Sequence, residues 1–216
     1  MKVEIWSDIH CPWCYIGKRR FEKALNQFEH RDQVDITWRS FQLDPRAPRE
    51  YNGTLNDMLA EKKGISPERA QAMHEHVTGL AAQEGLDYHF ELARVGNSFD
   101  AHRLVHLAGE HDLSGKMQER LFRAYFTEGQ HVGNADTLAE VAAEVGLDAD
   151  EVRAMLASDA YADDVRADVQ RAGSIGISGV PFFLFDERYA ISGAQPTELF
   201  TTALTRAWED AQKVMP

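Results

Sequence analysis

Two cysteines occur in this chain of 216 residues, and they stand three positions apart in Cys11-Pro12-Trp13-Cys14. Thiols so close can pass electrons through a shared disulfide, hold part of a metal site, or simply pack as small apolar side chains. Val3, Ile5 and Trp6 ahead of them read as a short strand. From about Pro12 to Phe28 the sequence reads as a helix, with Phe21, Ala24, Leu25 and Phe28 on one face. The pair thus falls where a strand hands over to a helix. Unbonded N–H groups and the positive end of the helix dipole at that point stabilise a thiolate on Cys11. Pro12 suits the first helical turn, where its missing N–H costs nothing. Cys14, one turn further in, is expected to be more buried yet close enough to attack its neighbour. That division makes Cys11 the exposed nucleophile and Cys14 the resolving thiol.

The competing uses explain less. A tetrahedral zinc site needs more ligands, and no second cysteine pair exists to supply them. A disulfide between such near neighbours closes a tiny loop and stabilises little. Two chance core cysteines leave the strand-to-helix placement and the proline unexplained. Dithiol redox chemistry accounts for all of these features together.

Other residues around this pair carry open alternatives. Asp8 is either a proton acceptor for Cys14 or, as is common for Asp in turns, a partner for loop N–H groups. His10 either tunes Cys11 when protonated or is an exposed loop histidine. Trp13 carries no charge, so the couple is expected to be less oxidising than one with a cationic residue in that slot. Val180-Pro181 precedes the apolar run Phe182-Phe183-Leu184-Phe185. It fits a plain loop-to-strand junction, and equally a cis-proline beside the thiols that leaves the Val180 backbone free to pair with an extended substrate. Trp13, Val180 and Pro181 are therefore the substrate-binding candidates. His102 and His106 are one helical turn apart, a spacing that can hold a metal, but no third ligand is evident and no metal is expected.

The elements that must position these groups follow from periodicity. Val34, Ile36, Trp38 and Ser40 alternate with Asp35, Thr37, Arg39 and Phe41 as a second strand. Strand, helix, strand implies a right-handed crossover and a parallel pair. A loop over 44–52 with Pro45 and Pro48 comes next, and the strand signal then vanishes for more than a hundred residues. Ser66-Pro67 opens a helix with a stripe of Ala70, Met73, Val77, Leu80 and Ala81. Helices are also expected at Ala101 to Leu107, Met117 to Phe126 and Leu138 to Val145, with a short one opened by Asp148 and Glu151. A last stripe, Tyr161, Val165, Val169 and Ala172, leads to a hairpin of Val180 to Phe185 and Tyr189 to Ile191, and then a helix from about Pro196 to Gln212. Neither terminal piece has enough strands for its own sheet. The expectation is an α/β fold in which βαβ and αββα pieces share one mixed sheet around an all-helical insertion. The expected divisions are residues 1–45, 46–158 and 159–216.

The chain carries 35 acidic against 23 basic residues, a net charge of −12. That balance argues against a general nucleic-acid binder, which concentrates Lys and Arg to neutralise phosphates. No apolar run approaches the ~20 residues of a membrane span. Met1 to Asp8 is too short and polar for a signal-peptide core, so the expected location is the cytoplasm, where a close thiol pair is seldom structural. The acidic stretch from Glu140 to Asp168 reads as a solvated helix face.

Taken in order, Ser7-Asp8, Cys11-Pro12-Trp13-Cys14-Tyr15-Ile16-Gly17, Asn97 to Arg103 (NSFDAHR), Leu121 to Phe126 (LFRAYF), Gly179-Val180-Pro181-Phe182-Phe183 and Ser192-Gly193-Ala194-Gln195-Pro196 resemble the DsbA family of thioredoxin-fold oxidoreductases, in its FrnE-like branch. The likeness covers nearly the full length. It implies a thioredoxin-like fold with a helical insertion, Cys11 and Cys14 as the catalytic pair, and Pro181 as a cis-proline. It also implies disulfide or thiol substrates, protein or small molecule, no bound cofactor beyond the dithiol itself, and glutathione as a candidate co-substrate. Relatives that act as glutathione-dependent transferases or isomerases of small aromatic molecules usually carry Ser where Cys11 stands. A transferase or isomerase of that kind is the alternative; possession of both cysteines favours disulfide exchange.

Overall fold

The computed structural model describes residues 1–51 and 53–214. Asn52, the last residue of the expected 44–52 loop, lies outside them. The chain opens with β1 (Lys2–Ser7), α1 (Pro12–Gln27), a 3-10 turn at Arg31–Gln33 and β2 (Asp35–Ser40). Seven helices follow: α2 (Leu55–Lys63), α3 (Pro67–Gln83), α4 (Phe99–Glu110), α5 (Ser114–Phe126), α6 (Ala135–Glu144), α7 (Ala149–Leu156) and α8 (Ala162–Ser174). The chain then returns to the sheet with β3 (Phe182–Phe185) and β4 (Tyr189–Ser192), and α9 (Thr197–Val214) is the last described element. The four strands form one mixed sheet in the order β2-β1-β3-β4, parallel between β1 and β2 and antiparallel elsewhere. This is the α/β architecture with a helical insertion that the periodicities predict.

Alternation along β1 decides what each sheet face holds. Val3 and Ile5 join Phe183, Phe185 and Ile191 in an apolar cluster with Phe21 and Ala24 of α1 and Phe200, Ala203, Leu204 and Ala207 of α9. The ring centroids of Phe183 lie 5.5 Å from Phe21 and 4.7 Å from Phe200. On the other face Trp6 packs with Ala172 and Ile177, and beside it Glu4 is buried among charges. Arg39 donates to Glu4 Oε1 at 2.9 Å, and Arg171 to Glu4 Oε2 at 2.7 Å. Asp168 accepts from Arg39 at 2.9 Å and from the Ser40 N–H at 2.9 Å. The Asp168 end of the acidic stretch is therefore not solvated: it is 3% exposed and ties α8 to the sheet.

The chain divides into two compact units, Met1–Leu43 with Ala167–Pro216, and Asp44–Arg166. The second division falls within α8, eight residues beyond the expected one at 158, because the helix runs unbroken from Ala162 and only its later turns carry the sheet-facing residues Asp168, Arg171 and Ala172. Within the second unit Arg103 is 4% exposed. It donates to the carbonyls of Met155 (2.7 Å), Ser158 (2.5 Å) and Ala160 (2.8 Å), which closes the end of α7. That gives the Arg of NSFDAHR a structural task. Helix α2 has no counterpart in the periodicity, since Ala60 is its one buried residue among those described. Its ends are marked instead by the reciprocal Thr54–Asp57 capping box and by Gly64 at φ 61°.

Candidate active site

The end of β1 and the start of α1 are joined by a turn whose hydrogen bonds fix the thiols. The Cys11 N–H donates to the Asp8 carbonyl at 3.0 Å, and the Cys14 N–H to the Cys11 carbonyl at 3.0 Å. Cys11 is the N-cap of α1, with φ −91° and ψ 109°, and Pro12 occupies the first helical position. No acidic residue lies in that first turn to oppose a thiolate. Asp8 is 2% exposed. Its Oδ2 accepts from the Leu43 N–H at 2.7 Å and its Oδ1 from the His10 N–H at 3.3 Å. Of its two readings, these bonds are those of the turn-fastening one.

Both cysteines are free thiols. The expectation of an exposed Cys11 is corrected: Cys11 is 3% and Cys14 1% accessible. The Cys11 thiol turns toward the Val180 carbonyl and donates to it at 3.4 Å. For the same reason that carbonyl is not free for a substrate strand in this state; it is occupied by the nucleophile. Burial pushes the Cys14 thiol well above the ordinary cysteine range, reinforced by its hydrogen bond to Cys11 and by negative charge there. Two donors oppose that shift, the Asp8 backbone and the Ser7 hydroxyl. Cys14 is therefore held protonated, chiefly by its burial.

The Val180–Pro181 peptide is cis. Pro181 is buried, its carbonyl accepting from the Gly193 N–H at 2.8 Å. Trp13 is 37% exposed, the most open side chain of the motif. The structure thus brings Asp8, His10, Cys11, Cys14, Val180 and Pro181 together from two chain segments. Sequence reasoning assigned no role to two further neighbours: Ser7, whose hydroxyl bonds Cys14, and Gly17, whose Cα faces the Pro181 ring. Their signals are a polar residue closing an apolar strand and a glycine inside a helix. Among the described residues no group of three or more His, Cys, Asp or Glu side chains is placed to hold a metal, and no helix is long and apolar enough to cross a membrane.

The model of the DSBA-like thioredoxin domain matches residues 2–205. The chain belongs to that family. This DSBA-like protein is 49% identical to a probable DsbA oxidoreductase from Streptomyces coelicolor, whose crystal structure superposes with a TM-score of 0.92 over 97% of this chain and 90% of that one. It is 27% identical to an uncharacterized protein, YwbO, of Bacillus subtilis over 94% of this chain and 95% of the other. The cytosolic disulfide reductase DsbM of Pseudomonas aeruginosa, solved with GSH, shares the fold at 17% identity and a TM-score of 0.69, covering 95% of this DSBA-like chain and 98% of its own.

Proposed function

We propose that this DSBA-like protein is a cytoplasmic thiol-disulfide reductase or isomerase of the FrnE-like branch, with Cys11 as nucleophile and Cys14 as resolving thiol. The observation that carries the reading is the asymmetry of the pair: Cys11 caps the helix, while Cys14 is buried beside it and holds its proton. The Cys11 thiolate attacks one sulfur of a substrate disulfide. A Cys11–substrate S–S bond forms, the substrate S–S bond breaks, and the released sulfur leaves as a thiolate that takes up a proton. With Cys11 now uncharged, one cause of the raised Cys14 pKa is gone. Cys14 loses its proton to solvent and attacks Cys11. The Cys11–Cys14 disulfide forms and the substrate leaves with both sulfurs reduced. Two electrons have passed from the dithiol to the substrate; an external thiol, with glutathione as our candidate, returns them. Opening Cys11 to substrate requires the Val180 carbonyl to exchange its thiol donor for a substrate N–H, so that Val180 and Pro181 bind an extended chain beside exposed Trp13. The cytoplasmic placement draws on the cytosolic DsbM neighbour.

Insulin reduction by dithiothreitol or glutathione tests this. The wild type accelerates it, Cys11→Ser abolishes the acceleration, and Cys14→Ser accumulates mixed disulfides. Acceleration that survives Cys11→Ser would remove the thiol mechanism. His10 is assigned to tuning Cys11; superimposable thiolate-absorbance titrations of the wild type and His10→Ala would withdraw that role.

A further inference from the structure

Gly17 lies in the interior of α1, one turn beyond Cys14, at ordinary helical torsions. Glycine is a poor helix former, so backbone conformation does not explain it there. Space does. A Cβ at this position would meet Pro181 Cγ at 2.8 Å, with Pro181 Cβ and Phe183 Cζ both at 3.5 Å. The first distance is closer than carbon atoms tolerate, and a proline ring cannot swing aside as a long side chain does.

We infer that Gly17 is a positioning residue that sets the gap between the Val180–Pro181 segment and the Cys11 thiol by letting the proline ring lie directly on α1. This rests on the reading of Cys11 as nucleophile. Pro181 follows Val180, whose carbonyl receives the Cys11 thiol at 3.4 Å. The segment is held on its other sides. The Gly193 N–H grips the Pro181 carbonyl at 2.8 Å, and Phe183, two residues on, is fixed between Phe21 and Phe200. A methyl group at position 17 is accommodated only if the segment lifts away from α1 or the helix start backs off. Either movement changes the distance from Val180 to Cys11, since Cys11 caps that same helix.

The thiol-to-carbonyl hydrogen bond exists only in the dithiol state. Lengthening it disfavours that state relative to the disulfide, so the couple becomes more reducing. Substrate chains, which take over the same carbonyl, are held off line at the same time.

The experiment compares Gly17→Ala with Gly79→Ala in the full chain. Gly79 is a control inside α3 with open space where its Cβ would be. Gly17→Ala is expected to stay folded by circular dichroism. In glutathione redox buffers its equilibrium constant should shift about 2- to 10-fold toward the disulfide, and insulin reduction should slow by about 10- to 100-fold. Gly79→Ala keeps the wild-type constant and rate. A folded Gly17→Ala with wild-type constant and rate overturns the proposal. If Gly17→Ala does not fold, adding Pro181→Ala removes the ring atom the methyl meets and restores folding; a double variant as unfolded as the single one also overturns it. A wild type inactive on insulin would instead count against the proposed function, while the redox equilibrium, read without substrate, still reports on Gly17.

Discussion

Glu4 in β1 and Cys14 in the first turn of α1 are both ionisable and both only 1% exposed, yet their neighbours differ in kind. Glu4 is met by full positive charges: Arg39 and Arg171 bond its two oxygens, and Lys2 lies 3.7 Å away. Cys14 is met only by dipoles, a serine hydroxyl and a backbone group, and by a second thiol whose charge opposes its own. A buried carboxylate met by opposite charges holds elements together. A buried thiol without positive charge beside it is kept neutral, first by burial and then by its neighbour. The first arrangement is fixed; the second is poised. Burial alone therefore does not separate scaffold from chemistry, whereas the sign and strength of the neighbours do.

Removing the charge from the fixed cluster should have the largest effect. Glu4→Leu removes the carboxylate that Arg39 and Arg171 share, each arginine keeping a second acidic partner in Asp168 or Glu187, and is expected to cost about 2 kcal/mol, a fall in thermal midpoint of roughly 4–8 °C for a chain of this size. Thiol reactivity per folded molecule should be unchanged. A stability loss below measurement would erase the contrast. Giving the poised cluster a charge is the converse change. Trp13→His, at a slot open enough to stay charged, should stabilise the thiolate form and shift the glutathione equilibrium about tenfold toward the reduced enzyme at a pH below the imidazole pKa. No shift in redox-buffer titrations would mean that the slot does not face the thiols.

Proton linkage gives a third, smaller effect. In the unfolded chain Cys14 ionises near the ordinary thiol value of about 8.5, whereas in the folded dithiol burial and Cys11 keep it protonated to higher pH. Above that value the unfolded chain binds fewer protons than the folded one. This contribution to stability is complete below pH ~8.5 and is lost as pH rises toward the folded pKa, by at most about 1.4 kcal/mol per pH unit. Denaturant midpoints of the reduced protein between neutral and alkaline pH should show this slope, and Cys14→Ala should flatten it. Ser7→Ala is the mildest. Loss of one hydrogen bond to the resolving thiol should slow release from a preformed Cys11–glutathione mixed disulfide about 2- to 10-fold, with attack by Cys11 untouched. Equal slowing of both steps would show that Ser7 acts through the fold.

Much of this was legible in one dimension. The strand-to-helix position of the thiols, the proline at the helix start, the helix opened by Ser66-Pro67 and the hairpin after Pro181 are local patterns, and local patterns report hydrogen-bond period directly, whereas Met73 of the expected apolar stripe is 40% exposed. Helix α2 was illegible because its stability is in its capped ends more than in an apolar stripe. Asp168 misled for a related reason: an acidic residue among acidic residues looks solvated until Arg39, 129 positions away, is found beside it.

Residue types and spacings alone determined that this protein carries a dithiol at a helix start within a mixed α/β frame, because short-range geometry follows from sequence period. Only the tertiary structure decided that Cys11 is covered by the Val180 carbonyl, that Ser7 reaches Cys14, and that Gly17 leaves room for Pro181. Those are meetings between segments up to 169 residues apart, and no pattern within either segment encodes the distance at which they touch.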